Sequence, residues 1–309
     1  MGGCPIASEE KRPIGHPRFP APPPSSPGSA MKRNAKGLFR FLFFVLSKSA
    51  ALAMSISPAV IVKPGSSWIQ AAAESLDDHG FCLLSSSEAD APLIPPEVCR
   101  ASCDEAAARL ETLLQKVERR GVDRSDEFRF AEIVHRDGLR YDLPLEWNLV
   151  SADSASAFSE LHSAMDSIAR RVIDAVVARR GQTPLSTAMP APIAGCVLSV
   201  PSAQEQQWHS DGDSEGLFNV FAPLVDLTTA NGPTELRPGT HTGATSGFVQ
   251  PRQAPLLSAG ELLMFDYRCR HRGQANDSRE CRPVAYVVYS TGAEARDGNF
   301  PDAATLAWD

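Results

Sequence analysis

Gly195-Cys196-Val197-Leu198-Ser199-Val200, and after it Leu217-Phe218-Asn219-Val220-Phe221-Ala222-Pro223-Leu224-Val225-Asp226-Leu227, decide how this chain folds. Both are runs rich in β-branched and aromatic residues, bounded by Pro and Gly, which is how short strands read. Similar runs follow at Thr234–Leu236, Glu261–Phe265 and Pro283–Tyr289. Upstream the period changes from two to about 3.6. Helices first and several short strands afterwards predict an α+β chain, with N-terminal helices flanking an antiparallel barrel or jelly roll.

The helical part works outward from that barrel. Phe158, Leu161, Met165, Ile168, Val172, Ile173 and Val176 fall at helical spacing between Ser156 and Arg180. Pro95 and Pro96 open a second helix over Glu97–Arg120, with Ala101, Ala108, Leu110, Leu113, Leu114 and Val117 as its apolar stripe. Trp68 to Leu76 reads as a shorter amphipathic helix, and His79-Gly80-Phe81-Cys82-Leu83-Leu84 as a turn and strand. The folded domain is therefore expected over 66–300. Residues 1–65 are expected to be a disordered leader, because Pro20-Ala21-Pro22-Pro23-Pro24 forms neither helix nor central strand. Within it, 31–57 resembles a targeting segment: Lys32, Arg33, Lys36 and Arg40 around the apolar run Phe41–Leu46, with no acid between Glu10 and Glu74. That run is too short for a membrane span, which needs about 20 residues.

With 309 residues, 43% of them hydrophobic, the chain can bury a sizeable core. A net charge of −7 argues against a nucleic-acid partner, whose backbone demands clustered Lys and Arg. Seven cysteines, with no C-x-x-C pair, read as free thiols of an intracellular protein rather than a disulfide framework. The expected partner is a small-molecule substrate.

The chemistry-bearing segment is Gln207-Trp208-His209-Ser210-Asp211-Gly212-Asp213. In extended chain, residues i and i+2 point the same way, so His209 and Asp211 can reach one metal ion. Two imidazoles and one carboxylate on one face of a metal leave the opposite face open, the arrangement of non-haem Fe(II) oxygenases. The third ligand must come from elsewhere. His271 follows the strand-like Glu261–Phe265, and Arg282, eleven residues later, opens the next strand-like run. His241 competes, with Arg252 eleven residues beyond it, but Arg252 lies between Pro251 and Pro255, poor strand context. The reading is therefore a metal triad of His209, Asp211 and His271. The planar fork of Arg282 suits a carboxylate, and 2-oxoglutarate carries one at the far end from its chelating 2-oxo acid group.

This set resembles the phytanoyl-CoA dioxygenase family of iron- and 2-oxoglutarate-dependent oxygenases. The likeness rests on His79-Gly80-Phe81, on Gln207-Trp208-His209-Ser210-Asp211, on Asn231-Gly232-Pro233 through Pro238-Gly239-Thr240-His241, and on His271, Asn276, Ser278 and Arg282 in order. It implies a double-stranded β-helix of the cupin-like type, Fe(II) at the triad, and 2-oxoglutarate held by Arg282 with Ser278 beside it. Ascorbate is admitted as an accessory cofactor. Some members hold the co-substrate with a Ser two residues after the distal His, where this chain has Gly273. A bulky aromatic on the second strand also recurs, and Phe221 stands there. Hydroxylation of a small organic or lipid-like compound is the implied activity.

Other residues carry open readings. Asn219 and Phe221 share a strand face, so Asn219 either hydrogen-bonds the co-substrate or is a satisfied structural amide. Arg136-Asp137-Gly138-Leu139-Arg140-Tyr141-Asp142 reads as a loop, either reading substrate at the cleft mouth or carrying surface ion pairs. Asn276-Asp277-Ser278 is a glycosylation sequon, discounted because the resemblance places it at the site's rim. The competing function is a cupin-like barrel that binds a metal or small molecule without oxidation. Such a barrel has no use for a guanidinium behind the metal.

Overall fold

The computed structural model describes residues 59–62, 67–86, 91–136, 138–145, 156–181, 193–243, 251–293 and 304–306. The targeting segment expected over 31–57 lies outside them. Within the expected leader, β1 (Ala59–Val62) pairs in parallel with β2 (Phe81–Ser86).

Among the described residues three α-helices precede or interrupt the strands: α1 (Ser67–His79), α2 (Pro96–Arg119) and α3 (Ala157–Arg179). Pro96 occupies the first turn of α2, where a missing N–H costs nothing. Ser156 caps α3 by accepting from Phe158 N at 3.2 Å, and Glu105 of α2 accepts from Ser156 Oγ at 2.8 Å, tying the two helices. All seven residues expected on the α3 stripe are buried. On α2 Leu110, Leu113, Leu114 and Val117 are buried as expected, but Ala101 and Ala108 are exposed, and Val98 and Ala106 are buried in their stead. Alanine is too small to fix a helix face against the larger Val98, Leu110 and Val117.

The strands are β3 (Phe128–Phe130), β4 (Ile133–Arg136), β5 (Arg140–Pro144), β6 (Ile193–Ser199), β7 (Leu217–Pro223), β8 (Thr234–Leu236), β9 (Leu262–Asp266), β10 (His271–Gly273) and β11 (Arg282–Ser290). The larger sheet runs β1-β2-β9-β7-β11-β6-β5-β4-β3, antiparallel apart from β1 against β2. The smaller pairs β10 with β8 and is widened by single bridges from His209 to His271 and from Leu236 to Gln253. These two sheets form the double-stranded β-helix, a jelly roll flanked by the N-terminal helices.

The two-residue period of the strands sorts side chains between two cores. Phe218, Val220, Ala222, Ala285, Val287 and Tyr289 join the helices in one apolar cluster. Phe81, Leu236, Leu263, Phe265 and Cys269 form a second, against which Phe221 packs. Because β11 lies between β7 and β6, every residue of it is buried, and its sequence is apolar on both faces beyond Arg282. The six described cysteines are all free.

Arg136 and residues 138–142 do not form a surface loop. Arg136 ends β4, and Arg140–Asp142 begin β5, which pairs with β6. Gly138 and Leu139, at φ +75° and +62°, make the turn between them. Arg140 and Asp142 are fully buried. The strand was hidden because its inward residues are charged, which inverts the usual polarity of the alternation.

Candidate metal centre

His209 and Asp211 follow β6 in extended chain, where His209 exchanges both backbone hydrogen bonds with His271 of β10, at 3.1 and 2.8 Å. Asp211 N donates to Tyr267 O at 3.1 Å. The pairing sets the His209 and His271 rings with centroids 4.5 Å apart. Asp211 stands 3.9 Å from His209 Nε2 and 3.7 Å from His271 Nε2. The three ligand atoms all lie within 4.8 Å of one another, too far for hydrogen bonds among them and close enough to share one ion.

The tautomer of both rings in their neutral form is set by their backbone partners. His209 Nδ1 faces Gln207 O at 2.9 Å, and His271 Nδ1 faces Cys269 O at 3.0 Å. A carbonyl only accepts, so each Nδ1 carries a proton, and in the neutral ring each Nε2 then offers its lone pair. Burial, and then the neighbouring His271, push the His209 pKa down, favouring the neutral imidazole a metal requires. Asn219 of β7 donates Nδ2–H to Asp211 at 2.7 Å. The donor set is the two-nitrogen, one-carboxylate face that suits iron.

The triad opens into a cleft lined by residues of both sheets. Asn219 and Phe221 of β7 line it, as do Arg282, Tyr286 and Val288 of β11. Phe221 packs edge-on to Phe265, which in turn packs on His271. Arg282 is 3% exposed and donates Nη2–H to Ser199 Oγ at 2.7 Å; its Nε and Nη1 are buried without a partner. Burial, and then Arg140, push its pKa down to about 9. A buried guanidinium with two donors unused in the wall of a cleft is a receptor for an anion.

Among the residues singled out from sequence, His209, Asp211 and His271 converge, and Arg282, Asn219 and Phe221 line the same cleft. Ser278, expected beside the co-substrate, is not brought there. Its hydroxyl donates to Asn276 Oδ1 at 2.6 Å within the turn before β11, because Asn276 is itself buried and bonded to Ser199 O at 2.8 Å. His241 sits in a 3-10 turn, Thr240–Thr242, with Nε2 on Asp77 O at 3.1 Å, apart from the triad. Arg252 is exposed and lies 3.8 Å from Glu235.

Sequence reasoning offered Arg140 and Asp142 as a loop at the cleft mouth and missed both their strand setting and Tyr286; Arg140 and Tyr286 line the cleft, and Asp142 supports it from behind. Asp142 accepts from Arg136 at 2.5 Å and from the Tyr286 hydroxyl at 3.2 Å. The signal was present: Arg140 and Asp142 alternate with apolar Tyr141 and Leu143, as a strand with a polar inner face does.

Among solved structures, AviO1 from Streptomyces viridochromogenes Tue57 superposes with a TM-score of 0.50 at 21% identity, over 73% of this chain and 96% of that one. The non-haem alpha-ketoglutarate-dependent epimerase SnoN from nogalamycin biosynthesis matches at 15% identity and a TM-score of 0.44, over 77% and 96%. The carbocyclase SnoK from the same biosynthesis matches at 16% and 0.45, over 71% and 82%. No curated protein sequence matches significantly. The model of the phytanoyl-CoA dioxygenase (PhyH) family matches residues 76–284, a span that holds the triad, the cleft and Arg282. The chain belongs to the phytanoyl-CoA dioxygenase family, and is thereby an iron- and 2-oxoglutarate-dependent enzyme.

Proposed function

We propose that this enzyme hydroxylates a small organic or lipid-like substrate, with His209, Asp211 and His271 holding Fe(II) and Arg282 holding the distal carboxylate of 2-oxoglutarate. The observation that carries the reading is the pairing of a two-His, one-carboxylate set with a buried guanidinium, two of its nitrogens without a partner, in one cleft. A barrel that merely stored metal would bear the cost of that buried charge without return. Iron bound there, with dioxygen and 2-oxoglutarate that leaves as succinate and carbon dioxide, supplies the oxidant for an unactivated C–H bond.

The protein's own part is placement. The Nδ1–H groups held by Gln207 and Cys269 keep both rings turned toward the metal. Asn219 orients the Asp211 carboxylate rather than the co-substrate. Phe221, Val284 and Val288 give the cleft an apolar wall against water. Arg136, held by Asp142 and a quarter exposed, borders the cleft where substrate enters. Asp211 fills the carboxylate position that a halogenating site leaves open, which favours hydroxylation over halogenation.

The test is anaerobic loading with Fe(II), then oxygen and a substrate panel, measuring succinate and hydroxylated product. Turnover should exceed that of Asp211→Ala by orders of magnitude. Equal succinate from both proteins across the panel sinks the reading; succinate with a product that has gained no oxygen sinks hydroxylation alone.

A further inference from the structure

We propose that Arg140 is a second holder of the co-substrate's distal carboxylate, paired with Arg282 across Ser199. The inference rests on the reading of this chain as a 2-oxoglutarate oxygenase and adds a residue to its binding site. Arg140 of β5 and Arg282 of β11 are both directly opposite Ser199 of β6. Residues in direct cross-strand register share a face, so the three form one row on the inner side of the larger sheet. Arg140 is fully buried and Arg282 is 3% exposed. Both line the cleft.

Their hydrogen bonds go to neutral oxygens. Arg140 donates to Gln204 O and Gln274 O, each at 2.6 Å, and Arg282 donates to the Ser199 hydroxyl. Arg140 Nε, Arg282 Nε and Arg282 Nη1 are buried without partners. Burial, followed by the charge of Arg136, pushes the Arg140 pKa down to about 10. Two like charges in one row, held out of water with donors unused, are a standing cost that an anion between them offsets.

Gly273 fixes the level of this anion site. It lies two residues beyond His271 on β10, so it faces the cleft about 6.6 Å further along the strand. That step suits the separation between the chelating and distal ends of a five-carbon diacid. A Cβ at 273 would stand 3.1 Å from Arg140 Nη2, 3.2 Å from Cζ, and 2.9 Å from Gln206 Oε1. Glycine therefore leaves the space that the Arg140 guanidinium fills. The hydroxyl that a serine would offer here is replaced by a cation reaching in from the opposite sheet.

The experiment is calorimetric titration of the full chain, loaded with Mn(II) so that nothing turns over, with 2-oxoglutarate and with pyruvate, which lacks the distal carboxylate. Arg140→Met should lose about 10- to 100-fold in 2-oxoglutarate affinity, the value of a charge-assisted contact, with pyruvate affinity unchanged. Gly273→Ser reads the same contact without removing a buried charge. It should weaken 2-oxoglutarate in the Arg140 background and strengthen it in the Arg140→Ala background, where room for the hydroxyl exists. Unchanged 2-oxoglutarate affinity in Arg140→Met or in Gly273→Ser overturns the proposal, as does equal loss of both acids. If Arg282→Met loses 2-oxoglutarate while Arg140→Met keeps it, this inference alone falls. If the unaltered protein binds no 2-oxoglutarate, the functional reading falls and takes this one with it.

Discussion

Asn219 donates its amide N–H to the Asp211 carboxylate at 2.7 Å, joining β7 of the larger sheet to the carboxylate of the candidate metal triad. Asn219 is 2% exposed, so its amide is held in place by the sheet around it. It is the outer partner that aims the carboxylate, a role whose loss typically costs 10- to 100-fold in metal affinity. Asn219→Ala should therefore weaken Mn(II) or Fe(II) binding by about 10-fold or more. Calorimetric metal titration checks this, and an affinity equal to that of the unaltered protein would remove Asn219 from the site.

Asp142 is the only buried carboxylate described in contact with both Arg136 and Tyr286, at 2.5 and 3.2 Å. Removing it leaves a largely buried cation and a buried hydroxyl facing each other. Breaking such a pair from one side is strongly destabilising, about 3 kcal/mol here, since Arg136 keeps some access to water. Tyr286→Phe should cost about 1 kcal/mol, because only a neutral donor is lost. Urea unfolding of Asp142→Ala and Tyr286→Phe measures both. Equal, small losses would mean that water replaces the carboxylate.

Much of this arrangement is legible in the sequence, for a physical reason in each case. His209 and Asp211 are adjacent in strand period, so their convergence is local geometry. The α3 stripe reads correctly because its residues are large and apolar. What stays hidden depends on long-range register. Arg140 meets Arg282 only because β5 and β11 both pair with β6, and neither the local run nor its polarity announces that. Ser278 reads as a site residue from its place in the motif, yet its hydroxyl is consumed by Asn276, a competition visible only in the folded turn. β10 is three residues long and escapes any periodicity argument.

Gly80 ends α1 at φ +81°, where a Cβ would come within 2.5 Å of His241 Nδ1. Both the left-handed backbone and the close approach require glycine. Gly80→Ala should lose about 2–4 kcal/mol of stability, combining backbone strain with overpacking. In the His241→Ala background the steric part disappears and the strain remains, so the penalty should fall by roughly half. Additive losses in denaturant unfolding would show that the two residues do not oppose each other.

The two histidines that compete for the third ligand position in the sequence separate cleanly in the fold, and metal stoichiometry tests the separation. His271 is 4% exposed, with Nε2 facing Asp211 at 3.7 Å and Nδ1 satisfied by Cys269 O. His241 is equally buried, at 3%, but its Nε2 is occupied by Asp77 O and its ring lies against Gly80. Burial alone does not distinguish them; the partner of Nε2 does. His271→Ala should abolish stoichiometric iron binding, because two remaining ligands hold a divalent ion poorly. His241→Ala should keep one iron per chain while lowering the melting temperature, since it leaves a buried void and an unpaired carbonyl at the end of α1. Metal analysis after anaerobic desalting, read beside thermal unfolding, gives both numbers. Iron lost from His241→Ala at temperatures where the chain stays folded would reverse the assignment.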